Sequence, residues 1–409
     1  MKKGQLAFLT GTHAVNDLYQ GAIPAMLPFL MTERQYSYAA VSGLAFAASG
    51  VSSLFQPLFG VLSDREPRTW LVPAGFLTAA FGVVAAALSS DYLATWLFVA
   101  LAGVGIAAYH PPATSQARAA GGSSQKAMSV FSVGGTVGGS LAPALVTWII
   151  GALGFPASPL LAVPALVMAV LWFVQASRAR RLVRAAAASA PPGARAAVPD
   201  GVRGADDWRR FSQLVAVIIG WSVPFVTVTS LVSLHAQRDL GQSEAAGAAV
   251  LTGYTAAGAV GTLLGGWIGD RYGRTRAVRL GYLLALPTLA GIAWAPSFGI
   301  LVVSTVLFGA AMFLPFAAQV TLAQDYLPHR PGTASGLTLG LAMAAGGLCS
   351  PLFGWLADSS GLPAAFYALL GLFVLPVLLA FRLLDPRGDA SDSGASSHPE
   401  EPVDTPGLR

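Results

Sequence analysis

Apolar segments occupy most of this chain, and their length constrains the fold more than any other feature. Twelve of them are long enough to cross a bilayer as a helix, which takes about 20 residues. The predicted spans, numbered 1 to 12, are 5–31, 38–63, 70–90, 93–118, 128–151, 158–177, 211–235, 245–269, 275–295, 297–324, 333–357 and 362–384. Charged residues make up only 11% of the chain, against about 25% in soluble proteins. The sequence therefore predicts an all-α membrane protein with twelve transmembrane helices.

Basic residues indicate how the predicted spans are oriented. Only two of the 24 lysines and arginines, Arg34 and Arg238, fall in loops on one side. The others lie in the termini and near the loops that follow the even-numbered spans. By the positive-inside rule this second side is the cytoplasm, so both termini are expected there. The net charge of +5 follows from this topology and does not indicate a nucleic-acid partner.

A segment of different composition separates the spans into two groups of six. Residues 178–210 begin with arginines and continue as an Ala-, Pro- and Gly-rich run, which predicts a cytoplasmic linker with a short amphipathic helix at its start. The predicted domains are an N-terminal six-helix bundle, 1–177, and a C-terminal bundle, 211–384. Residues 385–409 have the composition of a disordered cytoplasmic tail. The single cysteine, Cys349, permits neither an intrachain disulfide nor a thiol metal cluster.

The two halves contain an internal repeat. The hexapeptide at 60–65, at the end of span 2, matches the hexapeptide at 266–271, at the end of span 8, with a constant offset of 206. The matched positions are Gly60, Asp64, Arg65 and Arg68 in the first copy and Gly266, Asp270, Arg271 and Arg274 in the second. Repeated halves are typical of transporters that move one half against the other around a site near the membrane midplane. The sequence thus predicts two pseudo-symmetric bundles.

Both loops resemble the signature of the major facilitator superfamily, Gly-x-Leu-Ala-Asp-Arg-x-Gly-Arg-Lys. The second copy is closer to it, because Pro67 replaces a glycine in the first. The resemblance covers residues 5–384 and implies the major facilitator fold, with a central cavity lined by helices 1, 4, 7 and 10. It also implies that Asp64 latches the cytoplasmic face onto span 11 in the outward-facing state, and Arg118 is its expected partner. The alternative is that these charges only face water and stop translocation.

A polar face interrupts span 1. His13, Asn16 and Asp17 are spaced i, i+3 and i+4, so they share one side of a helix, which Gln20 continues. Asp17 lies about 18 Å into the span at about 1.5 Å per residue. A carboxylate at that depth costs on the order of 2.5–3.5 kcal/mol. The polar face is therefore expected to contact protein or water and not lipid.

A second polar run interrupts span 4 at residues 108–112, Ala-Tyr-His-Pro-Pro. The prolines remove two backbone donors, which predicts irregular backbone next to His110 that lines a cavity. Together with the His-x-x-Asn-Asp motif at 13–17, this run resembles the fosmidomycin-resistance family of bacterial exporters. Pro112 stands where that family tends to have an acidic residue. The resemblance implies proton-driven antiport of a small drug across the bacterial inner membrane, with a phosphonate antibiotic as the named substrate.

Proton coupling is expected at the titratable members of these two runs. Asp17, His110 and His13 are the candidates, and the sequence leaves open which one carries the proton. The alternative is a polar pin between helices 1 and 4. The candidate substrate-binding residues are Asn16, Gln20, Tyr109, Gln56, Trp221, Tyr254, Phe313, Phe316 and Gln319. For the aromatic members of this set, simple packing is the alternative.

The glycine- and proline-rich run at 134–143 in span 5 is similar to a motif of superfamily antiporters and favours export, although a helix-packing surface is the alternative.

We therefore expect a monomeric, proton-coupled secondary transporter that exports a small drug or metabolite by alternating access, without a cofactor or metal. A proton-coupled transporter or uptake symporter of a sugar, organic acid or organo-arsenical is the alternative. A membrane-embedded enzyme is disfavoured, because the sequence contains no His-x-x-x-His or Gly-x-Ser-x-Gly motif. It also lacks the Gly-x-x-x-x-Gly-Lys-Ser/Thr loop of nucleotide-driven transport.

Overall fold

The computed structural model describes residues 2–36, 38–65, 68–188 and 204–386, and the regular structure in these ranges is helical. The helices are α1 Lys3–Arg34, α2 Tyr38–Arg65, α3 Leu71–Leu88, α4 Tyr92–Gly121, α5 Gln125–Val146, α6 Val163–Ala188, α7 Trp208–Arg238, α8 Glu244–Tyr272, α9 Arg274–Ala293, α10 Phe298–Phe313, α11 Phe316–Tyr326, α12 Pro331–Gly336, α13 Ala342–Ser360 and α14 Leu362–Ala380. Helices α10 and α11 form predicted span 10. Helices α12 and α13, joined by a π-helical turn, form span 11, and α14 is span 12.

Ten of the described segments are long and apolar enough to cross a membrane. The remaining two are α1 and α9, with 32 and 20 residues, which are long enough but less apolar. The polar face around Asp17 lowers the hydropathy of α1, and the basic start at Arg274 has the same effect on α9. The described helices are thus consistent with the twelve predicted spans, and the predicted all-helical membrane fold is confirmed.

The prolines act differently from the prediction. Helix α4 continues through Pro111 and Pro112, so the expected irregular backbone beside His110 does not form. A membrane helix tolerates proline when its remaining hydrogen bonds and its neighbours satisfy the backbone. Span 10, predicted as one helix, is instead divided at Leu314 and Pro315 into α10 and α11. Pro315 has no N–H to continue the ladder, and the chain turns there.

The predicted linker and tail fall largely outside the described residues. Residues 178–188 of the linker continue α6 as a helix, which extends that element beyond its predicted end. Residues 189–203 and 387–409 lie outside the described ranges, as does Pro67 in the first copy of the repeat. The cytoplasmic linker and the disordered tail therefore remain predictions.

Each half of the described chain has its own hydrophobic core. In the first half, Tyr19 is fully buried and donates its hydroxyl hydrogen to the carbonyl of Leu161 at 2.9 Å. In the second half, the equally buried Tyr282 donates to the carbonyl of Val217 at 3.0 Å. Ala317 of α11 joins the core of the first half, so the two cores meet where α11 begins.

Close packing between α1 and α5 positions the polar face of α1. A Cβ added at Gly134 would lie 2.5 Å from the carbonyl oxygen of Thr10, and one added at Gly138 would overlap the carbonyl of Ala14. Only residues without a side chain allow two helices to approach this closely. Helix α4 packs on another side of α1, so the polar face of α1 lies between α4 and α5.

Candidate functional site

Asp17 lies between two histidine rings inside the first half. Its Oδ1 is 3.2 Å from Nε2 of His110 on α4, and its Oδ2 is 3.3 Å from Nε2 of His13, one turn earlier on α1. Asn16 donates from Nδ2 to the same Oδ1 at 3.0 Å. The side chains of His13, His110 and Asp17 are only 9%, 11% and 19% exposed. We call these three residues the His–Asp–His cluster.

Backbone carbonyls fix the orientation of both rings. Nδ1 of His13 lies 2.8 Å from the carbonyl oxygen of Phe131 on α5, and Nδ1 of His110 lies 2.9 Å from that of Ile106 on α4. A carbonyl oxygen only accepts hydrogen bonds, so Nδ1 is the donor in each contact. Each Nε2 therefore points at the carboxylate of Asp17. Pro111 and Pro112 lack the N–H groups that would bond to the carbonyls of residues 107 and 108. The carbonyl of Ile106 is not one of these two, so the prolines do not create its contact with His110.

Aromatic rings enclose His13. The ring of Phe131 stacks on it with centroids 4.4 Å apart, and the ring of Tyr109 lies 5.8 Å away on α4. The hydroxyl groups of Tyr109 and Thr12 are 2.9 Å apart, so the tyrosine hydroxyl is engaged with α1 and not with Asp17. This enclosure limits the access of water to the cluster and strengthens the electrostatic interactions within it.

The donor set of the cluster can bind either a proton or a metal ion. Its ligand atoms lie within 4.8 Å of one another, and two imidazoles with one carboxylate are common ligands of transition metals. The histidine–carboxylate distances of 3.2 and 3.3 Å are also those of long hydrogen bonds. Protons alone are therefore sufficient to hold the three side chains together.

The other candidate substrate-binding residues of the first half differ in their burial and in their hydrogen bonding. Asn16 is fully buried, and its Oδ1 has no hydrogen-bond partner among the described residues. Gln20 is exposed, although it continues the same helix face. Gln56 of α2 is buried and donates from Nε2 to the hydroxyl of Ser52 at 3.4 Å. Its backbone carbonyl also touches Gly336 of the other half, so Gln56 lies at the contact between the halves.

Four of the second-half candidates form an aromatic cluster with one further residue. The ring of Phe225 stacks on Trp221 with centroids 4.7 Å apart and meets Phe313 edge-on at 5.3 Å. Tyr254 lies 6.0 Å from Phe313, and Phe316 lies 6.4 Å from Trp221. The sequence predicts all of these as candidate substrate-binding residues except Phe225. Their contacts fit both the packing role and the substrate role that the sequence left open.

Some polar groups of the second-half candidates have a hydrogen-bond partner within the protein, and one does not. Trp221 donates its indole N–H to the carbonyl of Met312 at 2.8 Å, and Gln319 donates from Nε2 to the hydroxyl of Tyr282 at 2.8 Å. Gln319 therefore ties α11 to α9 inside its own half. The Tyr254 hydroxyl is buried and has no partner among the described residues. This hydroxyl is therefore available to bind a ligand.

Asp64 joins the two halves at the terminal face, the end of the bundle where α1 begins and α14 ends. Its carboxylate accepts from the backbone N–H groups of Gly332 and Thr333 at 2.6 and 2.7 Å. It also accepts from the hydroxyl of Thr333 at 2.6 Å. These donors form the first turn of α12, so a carboxylate of the first half caps a helix of the second.

Asp270 makes the corresponding contact in the opposite direction. Its carboxylate accepts from the backbone N–H groups of Gln125 at 2.5 Å and Lys126 at 3.0 Å, and from the hydroxyl of Ser124 at 3.0 Å. It therefore caps α5 of the first half from α8 of the second. With the repeat offset of 206, the start of α5 corresponds to the start of α12. The internal repeat thus produces two matching caps across the terminal face.

An ion-pair network lies beside these caps. Asp325 at the end of α11 accepts from Arg118 of α4 at 3.0 Å and from Arg274 of α9 at 2.6 Å. Arg274 is buried and also pairs with Asp385, just after α14. The expected pairing of Arg118 with Asp64 is therefore replaced by a pairing with Asp325. The reason is positional, because Asp64 is already surrounded by the N–H groups of α12.

The remaining latch candidates have separate surroundings. Gly60 packs against the backbone of Gly332, where an added Cβ would lie 2.5 Å from the carbonyl oxygen, and Gly266 packs against Ser129. Arg271 stays within its own half, donating from Nε to the Tyr272 hydroxyl at 3.1 Å. Arg65 is exposed and Arg68 is half-buried. The glycines and aspartates of the repeat thus make the contacts between the halves that the structure describes for these motifs.

The sequence reasoning missed several groups that shape the site. The carbonyls of Phe131 and Ile106 have no sequence signal, because every residue carries a carbonyl. Gly135 contacts both His13 and Asp17, and it belongs to the glycine-rich run already noted in span 5. Asp385 lies in the predicted tail, yet it pairs with Arg274 in the second copy of the repeat.

Comparison with known proteins identifies the family. A family model described as Major Facilitator Superfamily matches residues 9–348 and 211–405, and the chain belongs to this superfamily. It is 30% identical to the fosmidomycin resistance protein of Escherichia coli (strain K12), over 91% of this chain and 92% of that protein. It is also 30% identical to the MFS-type transporter YfnC of Bacillus subtilis (strain 168), over 90% and 89% of the two chains. The resemblance found in the sequence is confirmed.

A solved structure shows the same fold. The crystal structure of the transporter FucP in the outward conformation aligns with a TM-score of 0.71, over 93% of this chain and 98% of that one. The sequence identity is 14%, so this similarity concerns the fold alone. Membership of the superfamily makes the protein a multi-pass membrane transporter with bacterial relatives, and its cargo is a small molecule.

Proposed function

We propose that this protein is a proton-coupled secondary transporter that exports a small drug or metabolite by alternating access. The observation that carries the proposal is the burial of Asp17 between His13 and His110, in a chain of a transporter superfamily. A coupling site must exchange protons and must be reached in turn from the two sides of the membrane. Asp17 is the principal coupling group, and the two histidines share its protons.

The charge of the cluster explains how coupling works. An ionised carboxylate deep in a membrane protein is costly unless it is paired. Protonation of the neighbouring imidazoles supplies the pairing, and loss of those protons leaves the carboxylate without it. Cargo that binds next to Asp17 therefore competes with, or depends on, the proton load. Either relation converts a proton gradient into movement of cargo.

The terminal face supplies the second requirement, a gate. The caps of Asp64 and Asp270, with the Arg118–Asp325 pair, form a latch that closes this face. We place the terminal face and both chain termini in the cytoplasm, on the distribution of basic residues. The conformation is then outward-facing in the inner membrane of a bacterium, and a single chain is sufficient for the cycle. Export requires the latch to open so that cargo can enter from the cytoplasm.

The cargo is a small molecule, for which a fosmidomycin-like phosphonate is the first candidate. It is suggested by the name of a relative that is 30% identical over most of its length. The aromatic cluster of Trp221, Phe225 and Phe313 offers apolar planes for a second part of the cargo. Uptake by symport is the alternative mode, and the direction of proton movement distinguishes it from export.

The test measures proton movement in lipid vesicles that contain the purified protein and a pH-sensitive dye. Fosmidomycin is added first, followed by a dicarboxylic acid and a cationic drug. We expect a cargo-dependent proton flux, opposite to the movement of cargo, which disappears in Asp17→Asn and persists in the control Asp358→Asn. Asp358 is an exposed carboxylate at the far end of α13. An unchanged flux in Asp17→Asn would reduce Asp17 to a structural pin between α1 and α4. Movement of protons and cargo in the same direction would contradict export.

A further inference from the structure

Each histidine of the His–Asp–His cluster has an oxygen acceptor at both ring nitrogens. For His13 the acceptors are the Phe131 carbonyl at 2.8 Å and Asp17 Oδ2 at 3.3 Å. For His110 they are the Ile106 carbonyl at 2.9 Å and Asp17 Oδ1 at 3.2 Å. Since carbonyls cannot donate, the proton on each Nδ1 is fixed by the backbone. The exchangeable protons are therefore confined to the two gaps between Nε2 and the carboxylate.

An empty gap is unfavourable in this geometry. A neutral ring with its proton on Nδ1 presents a lone pair at Nε2, which would face a carboxylate oxygen at hydrogen-bond distance. Both rings are buried and the Asp17 side chain is only 19% exposed, so water compensates little for two facing acceptors. Asn16 contributes one N–H to Oδ1 and none to either imidazole. Each gap consequently requires a proton of its own, whether that proton resides on the ring or on Asp17.

No other charged side chain offsets this requirement. Helix α4 contributes Tyr109, whose hydroxyl bonds with Thr12, and α5 contributes the apolar Phe131 and Gly135. Within the ranges that the structure describes, no ion pair links the cluster to a lysine, an arginine or a second carboxylate. The two gaps are therefore the whole of the local proton store.

We propose that the cluster holds two exchangeable protons in this conformation, one in each gap between a histidine and Asp17. The loaded cluster then carries one net positive charge, and the empty cluster one net negative charge. The inference rests on the proposed proton coupling for its meaning in transport, where it gives two protons per cycle. The loaded state explains why both rings stay in contact with a single carboxylate.

The experiment counts these protons without any cargo. The protein is labelled with ¹⁵N-histidine, placed in lipid nanodiscs at neutral pH and examined by NMR, which distinguishes protonated from bare ring nitrogens. The chain has five histidines, and single variants His13→Gln and His110→Gln assign the two signals. Infrared spectra of wild type and Asp17→Asn show whether Asp17 itself is protonated. We expect a total of two protons in the gaps, as two charged rings or as one charged ring with a protonated Asp17. A total of one or none overturns the proposal.

Two controls make the count specific. In Asp17→Asn both rings lose their counter-ion and are expected to become neutral. His329 lies exposed beside the start of α12, and its signal should be the same in both proteins. If its signal also changes, the variant has altered the fold, and His110→Gln then tests whether His13 alone keeps its second proton. Two protons without proton flux in vesicles would refute the proposed function and leave this inference standing. Flux with a count of one would do the reverse.

Discussion

Gly135 offers a direct test of how α5 holds the His–Asp–His cluster. A Cβ added at this position would lie 2.7 Å from Nε2 of His13 and still closer to Oδ2 of Asp17. Both contacts are shorter than real Cβ atoms show, so something must move. Helix α5 cannot simply retreat, because Gly134 and Gly138 hold it against the backbone of α1. In Gly135→Ala the displacement should therefore fall on the two side chains of the cluster.

The magnitude follows from the contacts that would be lost. Displacing His13 breaks its hydrogen bond to the Phe131 carbonyl, and a bond from a charged donor is worth about 1.5–3 kcal/mol. Keeping His13 in place would instead cost about 1–3 kcal/mol of overpacking. A loss of about 1.5–3 kcal/mol lowers the population of the intact cluster by at least roughly tenfold. The effect should therefore be visible in spectra as well as in stability.

The assay compares Gly135→Ala with Gly139→Ala, one turn further along α5. A Cβ at Gly139 would meet only the backbone carbonyl of Asp17, at 3.8 Å, which is an ordinary contact. We expect the ¹⁵N signals of His13 to change in Gly135→Ala, together with a lower melting temperature in detergent. The control should keep the wild-type signals. If both variants keep the signals of His13 and melt at the same temperature, the reasoning about Gly135 is wrong.

Three further predictions concern the latch and the content of the site. Asp64→Asn should weaken the cap on α12 by about 1 kcal/mol, and faster hydrogen–deuterium exchange at Thr333 would reveal it, whereas unchanged exchange would contradict the latch. Asp325→Asn should destabilise the protein by about 1–3 kcal/mol, because buried Arg274 loses one of its two carboxylate partners. Its melting temperature should fall below that of Asp358→Asn, and equal values would contradict the network. Treatment with EDTA should leave proton flux in vesicles unchanged, since protons suffice to join the cluster, and a large loss of flux would indicate a bound metal.

The location of the site could be predicted from the free-energy cost of placing a single carboxylate, that of Asp17, inside a membrane span. A carboxylate in the middle of an apolar span had to find partners, and the i, i+4 spacing placed His13 beside it on the same helix face. His110 followed from a second polar run in another span. The structure places all three side chains in contact. This part was predictable because strongly unfavourable burial leaves few arrangements.

The partners of the cluster were not predictable in the same way. The acceptor for His13 is a backbone carbonyl on α5, and nothing in the residue type of Phe131 marks it. Access to the carbonyl depends on how closely α5 approaches α1, which is a property of the packed helices. The same limit applies to Arg118. It pairs with Asp325 and not with Asp64, because the Asp64 carboxylate accepts hydrogen bonds from the first turn of α12. Local patterns identify the groups that need partners, and tertiary packing decides among the partners available.

The packing of α5 connects the site to the latch. Its first residues are capped by Asp270 from the second half, and two turns later its Phe131 carbonyl holds His13. In the proposed cycle, opening of the terminal face releases the cap at Gln125, and a rotation of α5 against α1 would move the carbonyl away from the ring. Loss of that contact removes one fixed acceptor from His13 and so changes its hold on a proton. In the proposed mechanism, the helix that closes the gate is therefore also the helix that secures the proton, which is the connection that alternating access requires.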